Sequence, residues 1–400
     1  MRIETPILDL PMPQRLFIPG PTPIPASVQE AMAGPIVYHR GPDFPDLLTG
    51  VVEDSKSLFP TKDELFLLSS SGTGAMEAAV VNTLSPGDRV AVAQAGNFGA
   101  RWKDICGAYG VEFLPIDSEW GSSVDPQRVA DTLSGNPDIK AVLTTQSETS
   151  TGALHDIEAI GEAAASHDAL LIVDGISSVC AHRLDTNAFG VDVAITGSQK
   201  GLGLPPGLSI LTFSDRAHKA SKESTCHKLY LDLRRYRASL EDGRGPFTLP
   251  VTLITGLRAA LDLVSAEGIE QVWARHARQA GAVREAIWAI GLTCFAEKPS
   301  NVLTSVELPE SIDGVDLMTR LKQSYGAAIG GGLAHLRGRV VRISNLGFVE
   351  DDDIRFIVKA LEETLAWMGL RFDHGAAIDA AEQALTSDIV AAEGQTEPEK

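Results

Sequence analysis

Short apolar runs alternate with amphipathic stretches along much of the chain. Helical patterns such as 126–134 and 156–166 separate apolar runs that begin near residues 65, 90, 141, 170, 191 and 208. Strands that are separated by helices are typical of α/β folds, in which the sheet is largely parallel. The pattern therefore predicts an α/β fold built on a mostly parallel sheet.

A carboxylate and a lysine follow two neighbouring apolar runs. The run 170–173 stops at Asp174, the next run covers 191–195, and Lys200 follows it in a loop of small residues. Open α/β sheets bind their ligands at the carboxyl ends of the strands, so we expect Asp174 and Lys200 to converge. Together they are the two protein groups that pyridoxal 5′-phosphate needs most: a lysine that bonds to its aldehyde and an acid for its ring nitrogen. Taken singly, each could be an ordinary turn acid or a solvated lysine.

A third candidate feature lies upstream. The apolar run 65–68 leads into the polar stretch 69–74, and a helical pattern follows from Ala75 to Leu84. A glycine-containing turn at a helix start offers backbone N–H groups and the positive end of the helix dipole to an anion. The alternative is a plain helix cap. The stretch has neither the Gly-Lys-Ser/Thr ending of a nucleotide-binding loop nor the Gly-x-Gly-x-x-Gly spacing of a dinucleotide fold.

Six motifs, in order, resemble the class V, fold-type I pyridoxal-phosphate aminotransferases, in the branch that contains alanine–glyoxylate and serine–glyoxylate aminotransferases. The resemblance extends from about residue 17 to about residue 369, through residues 17–23, 71–74, 148–152, 173–178, 197–200 and 341–343. It implies a large domain with a mostly parallel seven-stranded sheet and a smaller C-terminal α+β domain. We expect an N-terminal arm at 1–19, the large domain at 20–255, the small domain at 256–369, and an acidic, partly disordered tail, with a short helix, at 370–400.

The resemblance assigns roles around the cofactor ring. It implies that Lys200 bonds to the cofactor and shuttles the substrate proton, and that Asp174 pairs with the ring nitrogen. It places Ile176 beneath the ring and Phe98 on the opposite face, although Phe98 could simply pack in the core. Thr149 matches a hydroxyl residue near the phenolic oxygen.

The resemblance also implies phosphate ligands and a second subunit. Thr248 matches a threonine that reaches the phosphate of the neighbouring subunit's cofactor, so we expect a homodimer; the alternative is a turn residue between two prolines. The residues that match the phosphate site of the same subunit are Gly72, Thr73, Gly74 and Gln199.

Arg342 is the candidate for binding the substrate carboxylate. It lies in the alternating segment 339–343, where a buried guanidinium is costly unless it meets an anion, and it matches the family's carboxylate-binding arginine. We expect Arg339 to be solvated. The His39-Arg40 pair is typical of the alanine, serine and aminoethylphosphonate branches, so His39 is a second substrate-side candidate. The segment 344–347 departs from the Gly-His-Leu-Gly that is common in serine–glyoxylate enzymes.

These residues predict ping-pong transamination from a small amino acid, alanine and possibly serine or aspartate, to glyoxylate or a related 2-oxo acid. Two alternatives stay open. One is a cysteine desulfurase-like lyase, for which Cys226 or Cys294 would have to be the nucleophile, although a buried structural thiol is the more ordinary state. The other is a non-catalytic subunit that retains the fold.

The net charge and the spacing of the cysteines limit which molecules the protein is expected to bind and where it is expected to be located. The formal net charge of −19 disfavours nucleic acid and anionic membrane as partners. The four cysteines are scattered without a Cys-x-x-Cys pair, which indicates neither a metal site nor a disulfide framework, so we expect a cytoplasmic location. The expected partners are amino acids, 2-oxo acids and a second copy of the chain, with no metal.

Overall fold

A computed structural model describes residues 14–387 of the chain. Its strands are β1 (Arg15–Phe17), β2 (Glu64–Leu68), β3 (Arg89–Gln94), β4 (Glu112–Asp117), β5 (Ile139–Thr145), β6 (Ser147–Glu148), β7 (Ala153–Leu154), β8 (Leu170–Asp174), β9 (Val193–Gly197), β10 (Ser209–Phe213), β11 (Thr293–Cys294), β12 (Leu303–Glu307), β13 (Ala327–Gly331) and β14 (Val340–Ser344). Its α-helices are α1 (Ala26–Ala33), α2 (Phe44–Ser55), α3 (Gly72–Thr83), α4 (Asn97–Ala108), α5 (Pro126–Gly135), α6 (Ile157–Ala165), α7 (Asp215–Glu223), α8 (Leu233–Leu240), α9 (Val251–Glu267), α10 (Ile269–Ala289), α11 (Gly314–Tyr325), α12 (Asp351–Trp367) and α13 (Ala376–Thr386).

The large sheet has seven strands in the order β2-β10-β9-β8-β5-β3-β4. Only β10 runs antiparallel to its neighbours, and the pairs from β9 to β4 are parallel. The strands are apolar because helices cover both faces of such a sheet. This confirms the predicted mixed fold with a mostly parallel seven-stranded sheet.

Two element limits differ from the sequence prediction. Helix α3 begins at Gly72 rather than Ala75, because its first turn is made of small residues that carry no apolar period. Strand β9 begins at Val193 rather than Val191. The two residues before it turn instead: the Asp192 amide donates to the Leu171 carbonyl at 2.8 Å.

A second sheet has the order β1-β13-β14-β12-β11. Its first strand comes from the N-terminal segment and pairs in parallel with β13, so the chain start is tied to the C-terminal part of the molecule. The cores beneath the two sheets are separate apolar clusters, and helix α10 contributes Val272 to the large one and Ala282 to the small one. Helix α9, which spans the predicted boundary at 255/256, packs in the large core. The domain limits stay predictions.

The short helix predicted in the tail is α13. Its Ala377, Ala381 and Leu385 are buried in the small core, and the Glu362 carboxylate accepts the Ala377 amide at 3.0 Å. The rest of the predicted tail, from residue 388, and residues 1–13 of the arm lie outside the described residues. Within 14–387, no helix combines the length and apolarity that crossing a membrane requires.

Candidate active site

Asp174 and Lys200 reach one cavity from neighbouring strands. Strand β8 ends at Asp174, and its parallel neighbour β9 ends at Gly197, just before Lys200. Both side chains line a cavity at the carboxyl edge of the large sheet. The other predicted site residues that line it are Gly72, Thr73, Phe98, Thr149, Ile176 and Gln199.

The N-terminal segment encloses Lys200. Its Nζ donates to the Pro19 carbonyl, and its backbone carbonyl accepts from Thr22 Oγ1 at 2.7 Å. Gly20 permits this approach, because a Cβ there would lie 2.7 Å from Lys200 Nζ. Burial lowers the pKa of Lys200 to about 8, against the opposing effect of the Asp174 carboxylate. More of the amine is therefore uncharged near neutral pH than in an exposed lysine, which is the nucleophilic form.

Asp174 is a buried acid whose carboxylate accepts few hydrogen bonds from the described chain. Its Oδ1 accepts one hydrogen bond, from the Ile176 amide at 2.8 Å. Burial raises the pKa of Asp174 to about 6, whereas the nearby Arg101 and Lys200 charges lower it. Such a carboxylate can still accept a hydrogen bond from a cationic N–H group of a ligand.

Helix α3 begins at the cavity, and two of its first backbone amides have no hydrogen-bond acceptor in the described chain. No side chain caps it, and the amide of Gly74 bonds to the Ser71 carbonyl at 2.9 Å. The amides of Gly72 and Thr73 have no acceptor among residues 14–387. The Gln199 side chain lines the same cavity, and its oxygen has no partner among the described residues. Free N–H groups at a helix start, together with the helix dipole, favour an anion.

Glu148 fixes the start of α4, which carries Phe98 at the cavity. This fully buried carboxylate accepts the amides of Phe98 and Gly99 through Oε2, at 3.0 and 2.8 Å. Its Oε1 accepts the Ser150 amide and hydroxyl at 3.0 and 2.5 Å, and Ser150 Oγ accepts the Asn97 amide at 3.0 Å. The first three amides of α4 are thus satisfied by this loop, which fixes Phe98 beside the cavity.

Arg342 lies next to the same loop. Its Nη1 donates to the Thr149 carbonyl at 2.7 Å and its Nε to the Gly331 carbonyl at 2.9 Å. Burial lowers the pKa of Arg342, and the Glu148 charge opposes that shift. Arg342 as a whole residue is 7% exposed, and none of its hydrogen bonds within the described chain reaches a carboxylate. It therefore retains the capacity to bind one. Arg339, by contrast, is 70% exposed, as predicted.

Four predicted residues do not line this cavity in the single chain: Gly74 and Arg342, which lie beside it, and His39 and Thr248. His39 is half-buried, accepts from Arg40 Nε at 3.3 Å and packs edge-on against Tyr38. Thr248 is exposed, in a loop whose Phe247 stacks on Tyr230 with ring centroids 4.9 Å apart. Neither side chain lines the cavity.

The two cysteines considered for a lyase also lie away from it. Cys226 is buried, and burial raises the pKa of its thiol, which disfavours a nucleophilic thiolate. Cys294 lies in β11, at the edge of the small sheet.

Two residues at or next to the site, Glu148 and Arg101, are not among those predicted from the sequence. Glu148 is the one charged residue in the stretch 141–154, a signal that could have found it. Arg101 follows Phe98 by three positions, the spacing that places two side chains on one helix face.

The chain is similar in sequence and in fold to several known proteins. The family model described as Aminotransferase class-V matches residues 17–351. The "Soluble hydrogenase, small subunit" of Synechococcus sp. is 40% identical, over 93% of this chain and 98% of that protein. The "L-aspartate--glyoxylate aminotransferase" of Paracoccus denitrificans is 37% identical, over 94% of this chain and 98% of that protein. The crystal structure of an alanine–glyoxylate aminotransferase from Nostoc sp. superposes with a TM-score of 0.87 at 32% identity, covering 91% of this chain and 98% of that one.

Proposed function

Because the chain belongs to the class V aminotransferases, we propose that it moves the amino group of a small amino acid to glyoxylate or a related 2-oxo acid. The candidate donors are alanine, serine and aspartate. The observation that carries the proposal is the convergence of Lys200, Asp174 and the free amides of α3 in one cavity, with the Arg342 charge near enough to lower the pKa of Lys200.

The enzyme uses pyridoxal 5′-phosphate, and the cavity has a matching group for each part of it. The uncapped start of α3 suits the phosphate, and the Gln199 side chain, which lines the same cavity, has N–H donors that can reach it. Asp174 suits the protonated ring nitrogen, and Ile176 and Phe98 suit the two ring faces. When bound, this cofactor supplies an aldehyde that takes up the amino group and a ring that withdraws electrons from the neighbouring carbon.

We infer the roles of the chain's own residues from the family resemblance, and their places at or beside the cavity are compatible with these roles. Arg342 binds the α-carboxylate of donor and acceptor in turn, since its planar guanidinium offers two parallel N–H groups. Lys200 Nζ removes the proton from the α-carbon of the amino acid and, in the reverse half, returns one to the α-carbon of the oxo acid. Asp174 keeps the ring nitrogen protonated. One site thus serves both half-reactions, and nitrogen is conserved between them.

The relatives support several donors. The two aminotransferases among them carry L-aspartate or alanine in their names, and both names include glyoxylate. Ser344 and Asn345, which follow Arg342, have structural partners in this chain: Ser344 Oγ donates to the Val302 carbonyl at 2.8 Å, and Asn345 Nδ2 to the His276 carbonyl at 3.0 Å. The donor preference therefore rests on other side chains of the pocket.

We also propose a homodimer in which His39 and Thr248 complete the neighbouring subunit's site. Four large apolar side chains are exposed near these residues in the chain or in space: Ile36, Tyr38, Leu229 and Tyr230. Exposed apolar side chains in such number mark a surface that another protein covers. The dimer would bury them and bring both polar residues to a cavity.

The alternative of a non-catalytic subunit has some support in the name of the Synechococcus relative. We favour the transaminase, because a subunit without catalysis would have no use for a lysine and an acid with shifted pKa values in one cavity. A cytoplasmic location, which the scattered cysteines favour, is part of the proposal.

Two half-titrations test the proposed reaction. Purified enzyme loaded with cofactor should lose its visible absorption band when alanine, serine or aspartate is added alone. After removal of the donor, glyoxylate should restore the band, and glycine should appear in equal amount. Pyruvate and 2-oxoglutarate, added separately, rank the acceptors.

The Lys200→Ala variant is the control, because it lacks the amine that bonds to the cofactor. It should show neither the band nor glycine formation. A wild-type band that no donor removes, or that glyoxylate fails to restore, would contradict the proposed reaction. Sulfide release from cysteine that depends on Cys226 or Cys294 would instead support the lyase.

A further inference from the structure

We propose that Arg101 is a ligand of the cofactor phosphate and supplies the positive charge that the start of α3 lacks. No residue of the first two turns of α3 is basic, and the helix dipole alone is equivalent to about half a charge. A phosphate monoester near neutral pH carries nearly two negative charges. The cavity therefore needs a cation near its anion cradle, and the inference rests on the proposed cofactor site.

Arg101 has the position for this role. It is on helix α4, three residues after Phe98, and its guanidinium carbon lies 5.1 Å from the centroid of the Phe98 ring. Its Nη1 donates to Thr73 Oγ1 at 3.2 Å. The guanidinium thus links the helix that carries the ring-side phenylalanine to the first turn of the uncapped helix.

Arg101 also has N–H donors without acceptors and a charge without an ion-pair partner in the described chain. It is half-buried and lines the cavity, yet none of the described carboxylates is within ion-pair distance of it. A guanidinium has five N–H donors, and the Thr73 hydroxyl occupies one of them. Lys103, on the same helix, is paired with Asp117 at 2.8 Å. A cation that is partly removed from water without a counter-ion is costly unless a ligand provides one.

The contacts favour the phosphate over the substrate carboxylate as that ligand. Arg101 bonds to a residue of the anion cradle itself, whereas Arg342 is held by the Thr149 carbonyl in the loop beside the other helix. The planar fork of Arg101 would complement the free amides of Gly72 and Thr73, since both offer N–H groups to oxygens of one anion.

Paired binding measurements separate this role from others. Apoenzyme of the wild type, Arg101→Gln, Arg101→Lys and Lys103→Gln is titrated with pyridoxal 5′-phosphate and with pyridoxal, which lacks the phosphate. We expect Arg101→Gln to bind the phosphorylated compound at least about ten-fold more weakly and pyridoxal unchanged, as for a lost charge-assisted hydrogen bond. Arg101→Lys should lie between, and the matched control Lys103→Gln should equal the wild type.

Inorganic phosphate provides a second measurement. It should compete with pyridoxal 5′-phosphate for the wild-type apoenzyme, and about ten-fold more phosphate should be needed for Arg101→Gln. Equal weakening of both pyridoxal compounds would show that Arg101 acts on the ring through Phe98, and an unchanged affinity for both would make it structural; either result overturns the inference. If the wild type binds neither compound, the cofactor site itself is wrong. Melting temperatures of the four proteins verify that each is folded.

Discussion

Two helices begin at the same edge of the large sheet, and their first turns are treated in opposite ways. At α4, the amides of Asn97, Phe98 and Gly99 all have side-chain acceptors, from Glu148 and Ser150. At α3, no side chain of the described residues caps the helix, and two amides have no acceptor within that part of the chain. Helix α4 is thus fixed by the protein, whereas α3 keeps its donors for a ligand.

The two buried carboxylates of this edge show the same contrast. Glu148 accepts four hydrogen bonds, all from groups of the protein. Asp174 accepts one from the chain, and burial raises its pKa to about 6. A buried carboxylate whose oxygens all accept hydrogen bonds contributes to stability. A buried carboxylate with few hydrogen bonds lowers stability, and such residues are often kept because they are needed for function. The comparison therefore separates the part of the site that stabilises the fold from the part that awaits the cofactor.

The largest effect is expected from filling the start of α3. A Cβ on Gly72 would overlap Ile176 Cδ1, so Gly72→Ala must displace Ile176, which lines the cavity. Overpacking of this kind costs roughly 1–3 kcal/mol, which predicts cofactor binding weaker by up to about 100-fold. Titration of the apoenzyme with pyridoxal 5′-phosphate measures it.

The matched control lies on the other helix. Gly107, in the last turn of α4, has open space around its Cβ position, so Gly107→Ala should bind the cofactor normally and be about 1 kcal/mol more stable. Normal cofactor affinity in Gly72→Ala would mean that the α3 start is not part of the binding site.

Removing the charge of Glu148 should mainly lower stability. In Glu148→Gln, the new amide group faces N–H and O–H donors, so at least one buried donor is left unpaired, at a cost of about 2 kcal/mol. Urea unfolding of the apoenzyme measures the loss. Glu53→Gln, at a carboxylate whose side chain is 68% exposed, should stay within about 0.5 kcal/mol of the wild type. A stability equal to the wild type in Glu148→Gln would contradict the structural role.

Asp174→Asn should raise the free energy of unfolding of the apoenzyme, whereas Glu148→Gln should lower it. The folded pKa of Asp174 is raised from 3.8 to about 6, so the folded state binds more protons than the unfolded state between these values. Wild-type stability therefore falls as the pH rises through this window, and the asparagine variant escapes that loss. We expect the variant to be more stable by on the order of 1 kcal/mol above about pH 6, with the advantage gone below about pH 4. A variant that is less stable at neutral pH would refute this.

The smallest changes in unfolding free energy are expected from two serines, one next to the start of α4 and one before α3. Ser150→Ala removes the acceptor of the Asn97 amide and should cost about 1 kcal/mol of unfolding free energy. Ser69, before α3, has a buried hydroxyl without a partner, so Ser69→Ala should cost less than about 0.5 kcal/mol. Equal costs in the apoenzyme would remove the contrast between the two helix starts.

The strand-end residues could be predicted from the sequence because each is a local event. An apolar run that stops at Asp174, and a second run shortly before Lys200, are enough to place both at the same edge of a parallel sheet. The start of α3 could be predicted in the same way, although its first helical residue could not, because Gly72, Thr73 and Gly74 carry no apolar period.

The rest was decided by the tertiary structure, because it depends on contacts between distant segments. Glu148 and Phe98 are 50 residues apart, and the carbonyl of Pro19 meets Lys200 across 181 residues. Hydrophobic periodicity reports how one segment is buried and gives no information on which polar group lies opposite it. The sequence by itself determined the fold class, the family and the positions of the lysine and the acid. Only the packing of distant segments decided which helix start is capped, which carboxylate accepts few hydrogen bonds, and that Arg101 lines the cavity without a counter-ion among residues 14–387.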